Sequence, residues 1–410
     1  MPVSRLWIIS ELYYPEVTST GYFLTAIAEG LAQEYSVAVL CGQPTYSMRG
    51  QRAAARERRR EVEIHRCLST TFNKDVLVGR LVNAFSITIA ILWHALWKVR
   101  SGDCVLVVTN PPVLPFGIRL VCAFCGVRCV LLVHDVYPDI LVASGLMRRE
   151  SFATRILCWL TKKLYHSVDA IIVIGRDMRE LVSRRMHDAH VPIYLIPHWG
   201  DVGAIYPRAR GQNELLRELG LIDKFVVQYS GNMGRSHGLE VLVEVARILR
   251  DTPQVHFLLI GSGVKKQWLH KTATREGLDN ITFLPERKHG DLPDSLNACD
   301  LAVISLIEGM CGVSVPSRMY NVLAAGKPIL AISERDSELA LVVSEENLGW
   351  VVSPGDVAGI LDALRQAQSD PARLREMGRR ARSVAERKYS YDEAITSYRR
   401  AVHTIMGTRG

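Results

Sequence analysis

Short runs rich in β-branched residues alternate with longer segments of 3.6-residue period along nearly the whole chain, and few folds accept that alternation. The first series reads "LWIIS" (6–10), "SVAVLC" (36–41), "VEIHRC" (62–67), "CVLVVTN" (104–110), "CVLLVHD" (129–135), "AIIVIG" (170–175) and "IYLIP" (193–197). Between most of them lie helical patterns such as "GYFLTAIAEGLAQE". Strands separated by crossover helices predict a parallel sheet covered on both faces.

The pattern then restarts with "FVVQYS" (225–230), "HFLLIG" (256–261), "ITFLP" (281–285), "LAVISL" (301–306) and "PILAIS" (328–333), again with helical segments between. The break is "HWGDVGAIYPRARGQNE", residues 198–214, rich in turn formers and without a clear period, and it reads as the interdomain linker. The organisation is an N-terminal Rossmann-like domain over 1–200 and a second over 201–390. A C-terminal helix over 391–410 packs back on the first. Two doubly wound α/β domains in tandem imply a cleft between them, with ligands beyond the carboxyl ends of the strands.

The chain has 410 residues, 48% apolar and 22% charged, with a net charge of +8. That balance favours an anionic partner, such as a phosphorylated ligand or an anionic membrane face. The nine cysteines sit mostly in apolar runs and read as reduced core thiols in a cytoplasmic protein. "CAFCGVRC" has no second ligand pair at zinc spacing, and no metal site is expected. "LVNAFSITIAILWHALW" (81–97) reads as a buried or membrane-contacting helix rather than a span. Ahead of it, residues 51–66 carry Arg52, Arg56, Arg58, Arg59, Arg60 and Arg66. Together the two stretches suggest a basic and apolar face near an anionic membrane.

Each strand-to-helix loop can hold a ligand. In "ELYYPEVTSTGYFLT", Ser19, Thr20 and Gly21 precede a helix expected to begin near Tyr22, and a helix start favours an anion. His134 and Asp135 in "HDVYPD" stand at a strand's carboxyl end, placed for polar contacts or acid/base work. In "SGNMGRSHGLE", Gly231, Gly234 and Gly238 surround Asn232, Arg235 and His237, a loop with donors and positive charge. "IEGMCGVSVP" reads as a mobile Gly-rich loop, after which Ser317 caps a helix and Arg318 adds charge at its start.

"SGNMGRSHGLEVLVEVA", "LLIGSG" and "VPSRMYNVLAAGKPILA", with "YYPEVTSTG", "TNPP", "HDVYPD" and "IPHWGD", resemble the retaining glycosyltransferases of family four, which have the GT-B fold. The resemblance covers nearly the whole chain. It points to the bacterial exopolysaccharide and O-antigen branch, with its colanic-acid-type and fucosamine transferases. It departs from many members in two places. Asn232 and His237 stand where an Arg and a Lys are common, and Val313 and Asn321 stand where a Glu pair is common.

The resemblance implies a hexosyltransferase-type enzyme moving a sugar from a nucleoside diphosphate donor to a glycan, lipid-linked or small-molecule acceptor. It implies retention, no metal and no cofactor. Gly21, Gly231, Asn232, His237, Gly312, Val315, Pro316, Ser317 and Asn321 then serve the donor. Glu16 and Tyr137 serve the acceptor, and His134, Asp135, Arg235 and Arg318 the chemistry. Arg318, Arg235 and Lys327 are the cations available to the leaving diphosphate. The expected setting is cytoplasmic, peripheral on the inner face of the plasma membrane, with no nucleic acid partner. Rival readings are a sugar-nucleotide 2-epimerase of GT-B architecture and a non-catalytic sugar-nucleotide-binding protein.

Overall fold

The computed structural model describes residues 4–44, 52–72, 77–187, 190–287 and 289–407. The chain forms two compact units. Met1–Ile140, Met147–Pro197 and Ala394–Gly410 make the first; Leu141–Leu146 and His198–Glu393 make the second.

The first unit contains β1 (Arg5–Ile9), α1 (Ser19–Leu31), β2 (Ser36–Gly42), β3 (Arg56–Arg59), β4 (Val62–Cys67), α2 (Leu77–Lys98) and β5 (Cys104–Val108). It continues with α3 (Leu114–Cys125), β6 (Arg128–Val133), the start of α4 (Asp139–Ala143), whose last three residues are counted with the second unit, α5 (Phe152–Ser167), β7 (Ala170–Val173), α6 (Arg176–Met186) and β8 (Ile193–Leu195). Its sheet order is β3-β4-β2-β1-β5-β6-β7-β8, parallel except for β3. The central strands are apolar on both faces because helices cover both: Leu6, Ile8, Leu106 and Leu131 are all fully buried. The connections β4→β5, β5→β6 and β6→β7 advance the same way across the sheet, and β1→β2 advances the other way. Right-handed crossovers therefore put α2, α3 and α5 on one face and α1 on the other.

The second unit contains α7 (Glu214–Glu218), β9 (Phe225–Ser230), α8 (Glu240–Ile248), β10 (Val255–Ile260), α9 (Lys266–Arg275), β11 (Ile281–Leu284), α10 (Leu292–Asn297) and β12 (Leu301–Ser305). After these come α11 (Arg318–Ala324), β13 (Ile329–Ile332), α12 (Glu338–Glu345), β14 (Gly349–Val352), α13 (Val357–Ser369), α14 (Pro371–Lys388) and the start of α15 (Tyr391–Gly407). Its sheet is fully parallel, in the order β11-β10-β9-β12-β13-β14. The rest of α15 belongs to the first unit, where Arg399 donates to the Gly30 carbonyl at 3.0 Å and pairs with Glu34 at 3.3 Å.

Several local expectations change. The Arg-rich segment, of which Gln51 lies outside the described residues, is built largely into the sheet. Arg56–Arg59 forms a hairpin strand on β4, turning through Arg60 and Glu61 at positive φ. Its charge is largely neutralised within the fold. Glu29 receives Arg59 at 2.6 Å and Arg60 at 3.1 Å, and Arg66 pairs with Glu57 at 2.8 Å. The 198–214 stretch is packed into the second unit: Trp199 and Ile205 are buried, and Arg210 pairs with Asp300 at 2.8 Å. The loop before α11 is not loose. Met310, Val313 and Val315 are buried, and the Glu334 carboxylate accepts the Gly309 and Cys311 amides at 3.1 and 2.9 Å.

Candidate functional site

In a parallel α/β sheet the carboxyl edge is where loops open and helices begin, so each unit has one such edge to examine. In the second unit the edge is built by the loops after β9, β10 and β12. The β9 and β10 loops lie backbone against backbone. Gly231 N donates to Ile260 O at 2.9 Å, Met233 N to Ser262 O at 2.6 Å, and Lys265 N to Met233 O at 3.0 Å. Only glycine fits at 261. Its φ is +146°, and a Cβ there would lie 1.9 Å from Gly231 O.

Above this floor stands Arg318. Its guanidinium lies 4.5 Å from the centre of the Tyr229 ring and against Gly231, where a Cβ would meet the guanidinium carbon at 2.9 Å. Arg318 Nη2 donates to His237 Nε2 at 3.2 Å. Since arginine can only donate, His237 Nε2 is an acceptor and its proton is on Nδ1, which donates to Ser305 O at 3.0 Å. The imidazole is thus neutral. Burial first, then Arg318 and Lys265, push its pKa down to about 3. Arg318 Nη1 is buried and finds no hydrogen-bond partner among the described residues. The cluster is a preset cation with a donor to spare, held by stacking and a neutral histidine rather than by a carboxylate. That is what a phosphate needs.

The structure brings Gly231, Asn232, His237 and Arg318 together, as Arg318 Nη2 also approaches Asn232 O at 3.4 Å. Arg235 is on the same loop and exposed. Gly312 is buried with φ +73°, and Val315 is buried next to half-buried Pro316 and Ser317. Two expectations are corrected. Ser317 does occupy the N-cap position of α11, but its own dihedrals are helical (φ −58°, ψ −23°) and its side chain makes no capping bond. Lys327 is not at this edge: it precedes β13, and its ammonium is spent on the carbonyls of Asn297 and Cys299 at 3.2 and 3.0 Å. Asn321 is used within the fold, its side-chain oxygen accepting from Asp201 N at 3.3 Å.

In the first unit the carboxyl edge holds Glu16, Gly21, His134, Asp135 and Tyr137. Helix α1 starts at Ser19, three residues earlier than expected, so Gly21 lies inside its first turn. Thr18 is the N-cap, its hydroxyl accepting from Gly21 N at 3.3 Å. A Cβ on Gly21 would lie 2.7 Å from Glu16 O, so this turn closes tightly on buried Glu16. Thr109 Oγ1 accepts from the amides of His134 and Asp135 at 3.1 and 3.4 Å, fixing the loop after β6. His134 is buried, which pushes its pKa down to about 4, so it is neutral at physiological pH. Tyr137 is half-buried, and its carbonyl accepts from Arg185 at 3.0 Å.

Sequence reasoning missed Tyr229 and Thr109. Tyr229 sits inside a run that reads as core. Thr109 sits in "TNPP", where a threonine at a strand end has no pattern that sets it apart from the strand.

Residues 20–199 match the family model described as a glycosyl transferase 4-like domain, and residues 212–384 that described as glycosyl transferases group 1. The chain is 28% identical over 411 residues to the probable glycosyltransferase WbjE of Pseudomonas aeruginosa, covering 98% of this chain and 99% of that one. It is 27% identical over 398 residues to WcaI of Escherichia coli K12, named for colanic acid biosynthesis, covering 94% and 96%. Among solved structures, Anabaena HepE in complex with UDP and glucose superimposes with a TM-score of 0.73 at 15% identity, covering 98% of this chain and 100% of that one. The architecture is therefore GT-B, and the chain belongs to the glycosyltransferases whose two halves these family models describe.

Proposed function

We propose that this enzyme transfers a hexose, with retention of configuration, from a nucleoside diphosphate donor to a glycan or lipid-linked acceptor in surface polysaccharide assembly. The observation that carries the donor half is the Arg318–Tyr229–His237 cluster over Gly231, a preset cation with a buried spare donor. HepE binds UDP and glucose, which supports a nucleotide-sugar donor, and WcaI is named for colanic acid biosynthesis, which supports a polysaccharide product.

As the anomeric C–O bond breaks, its electron pair goes to the diphosphate, which gains charge. Arg318 and Arg235 meet that charge, and no metal is required of the mechanism. The acceptor hydroxyl attacks from the face the diphosphate leaves, and its proton passes to a diphosphate oxygen. Neutral His134 offers a hydrogen bond to the donor sugar, and Glu16 and Tyr137 belong to the acceptor side. Retention means the new glycosidic bond keeps the donor's anomeric configuration.

The test is product analysis. Incubation of the protein with UDP-glucose, or with other nucleoside diphosphate sugars in turn, and a lipid-linked or oligosaccharide acceptor should give a glycoside whose proton NMR shows the donor's configuration. EDTA should leave the rate unchanged. An inverted product, or activity lost to EDTA and restored by Mg²⁺ or Mn²⁺, overturns the mechanism. Epimerised nucleotide sugar formed without acceptor overturns the reaction class.

A further inference from the structure

One face of the first unit does not look like the surface of a freely soluble domain. Helix α2 buries one side against the sheet through Ile87, Ile91 and Ala95. The opposite side exposes Phe85, Ile89, Trp93 and Trp97, four residues apart, with Ile89 66%, Trp93 62% and Trp97 63% accessible. Spacing of four keeps them on one stripe, and with Val78 and Leu81 it runs the length of the helix, about 28 Å at 1.5 Å per residue. The stretch Leu81–Lys98 is apolar enough to cross a bilayer, yet it is a crossover helix seated on the sheet. Its apolar outer side is therefore presented sideways.

The neighbouring helices continue the surface. Gly117 of α3 lies so close to Leu92 of α2 that a Cβ would meet it at 2.6 Å, so the two helices lie side by side. Helix α3 exposes Leu120 and Phe124, the latter 84% accessible. Beyond α3, helix α5 exposes Phe152, Ile156 and Trp159. Monomeric soluble proteins rarely leave so large an apolar area uncovered.

The charges on the three helices decide what covers it. None of α2, α3 and α5 contains an Asp or Glu, whereas Lys98, Arg155, Lys162 and Lys163 are among their cations. Arg155, Lys162 and Lys163 are exposed; ahead of α5, exposed Arg148 and Arg149 stand with a single carboxylate, Glu150. Lys163 lies 5.8 Å from the Trp159 ring. Tryptophan and lysine edging an apolar stripe match the headgroup–acyl boundary of an anionic leaflet, where the rings sit at the interface and the ammonium groups reach phosphates.

We infer that α2, α3 and α5 form a monotopic membrane-docking face, and that its occupant is an anionic lipid leaflet on which the unit lies with α2 in the interface plane. The arginines of the β3–β4 hairpin are not its main electrostatic element, since Glu29 and Glu57 hold Arg59, Arg60 and Arg66. Such docking would bring a lipid-linked acceptor within reach, but it is read by partitioning, not turnover, and so stands or falls apart from the transferase reading.

The experiment is flotation of the full-length protein with vesicles of phosphatidylcholine alone or with about one-third phosphatidylglycerol, followed by tryptophan emission. Binding to the anionic vesicles should come with a blue shift and should weaken at least tenfold on going from 50 to 500 mM salt. Ile89→Glu with Phe124→Glu should cut binding at least tenfold; both sites are exposed, so the melting temperature and its shift by UDP should hold. Lys162→Glu with Lys163→Glu should lose the preference for anionic vesicles. Absence of binding to either vesicle overturns the inference, as does equal binding by the Glu variants. A concentration-dependent dimer that the Ile89→Glu/Phe124→Glu pair dissociates, without vesicle binding, assigns the face to a second copy of the chain and also overturns it.

Discussion

The two units share a parallel sheet and right-handed crossovers but manage polarity in opposite ways. At the carboxyl edge of the second, loops lock main chain to main chain through Gly231, Gly261 and Met233, and a cation stands over them on an aromatic ring. At the same edge of the first, the candidate groups are sunk: His134 and Glu16 are buried, and the histidine is neutral. The outward helices differ as well. In the second unit α9 carries Lys266, Lys271 and Arg275, and α14 is dominated by charged residues, whereas α2 of the first shows solvent an apolar stripe. A fixed cation suits a substrate whose charge must be met at once on breaking a bond. A sunken edge of buried side chains suits hydroxyl groups, for which directional hydrogen bonds discriminate better than charge.

The largest effect should come from the main-chain lock. Gly261→Ala puts a methyl group 1.9 Å from a backbone oxygen at a φ of +146°, and neither neighbour is a flexible side chain. A loss of about 3 kcal/mol or more is expected, seen by calorimetry as a lower melting temperature of the second unit with the first nearly unchanged. A loss below about 1 kcal/mol would mean that the loops can part, and the rigid side of the comparison would fail.

Next comes the cation. Arg318→Ala should weaken nucleoside diphosphate binding by about 1.5–3 kcal/mol, the range for a charge-assisted hydrogen bond, with Arg318→Lys recovering only part of it because lysine cannot stack as flatly on Tyr229. His134→Ala in the other unit should behave differently. Turnover should drop about 100-fold or more while titration calorimetry finds nucleoside diphosphate affinity within about twofold. If both variants lose affinity equally, the division of labour between the units is wrong.

Much of this was legible in the sequence, and the rest was hidden for identifiable reasons. The strand series was readable because buried parallel strands are apolar on both faces; "FVVQYS" coincides with β9, and "VEIHRC" with β4. The hairpin strand Arg56–Arg59 was not, because an edge strand of alternating charge has no apolar period, and edges are where charge is placed to stop further pairing. Strand β14 escaped for a different reason: it is a four-residue edge strand with Gly349 at its start, too short and too weakened by glycine to stand out as a run. At the site, the ring of loops could be located from strand ends alone. The support under Arg318 could not, since it is a tyrosine that strand periodicity assigns to the core. Lys327 shows the converse error. A lysine in a suggestive stretch was counted with the site, although its place ahead of β13 puts it at the opposite edge of the same sheet. The outward face of α2 was ambiguous too, because an apolar run records hydrophobicity on all sides and not which side a sheet will cover.

The smallest effect concerns protons, and it tests whether His237 is neutral because the fold makes it so. His237 has its pKa pushed down to about 3, while His134 and His256 are pushed to about 4, in each case with burial as the leading cause. An unfolded chain takes up the proton near pH 6.5, and the fold refuses it. Above that pH the two states bind the same number of protons and these histidines leave stability unaffected. Below it the unfolded state is favoured, so stability falls as pH drops from about 6.5 and levels off only past the folded values near 4 or 3. Each histidine contributes at most about 1.4 kcal/mol per pH unit. His237→Gln keeps a donor for Ser305 O and an acceptor for Arg318 but cannot titrate. Its stability, measured by urea denaturation at pH 7.5 and 5.5, should fall by about 1 kcal/mol less than that of the native chain over the same interval. An identical fall would mean that His237 takes up its proton in the fold as readily as outside it. Arg318 would then face a second positive charge at 3.2 Å rather than an acceptor, and the preset cation of the second unit would lose its support.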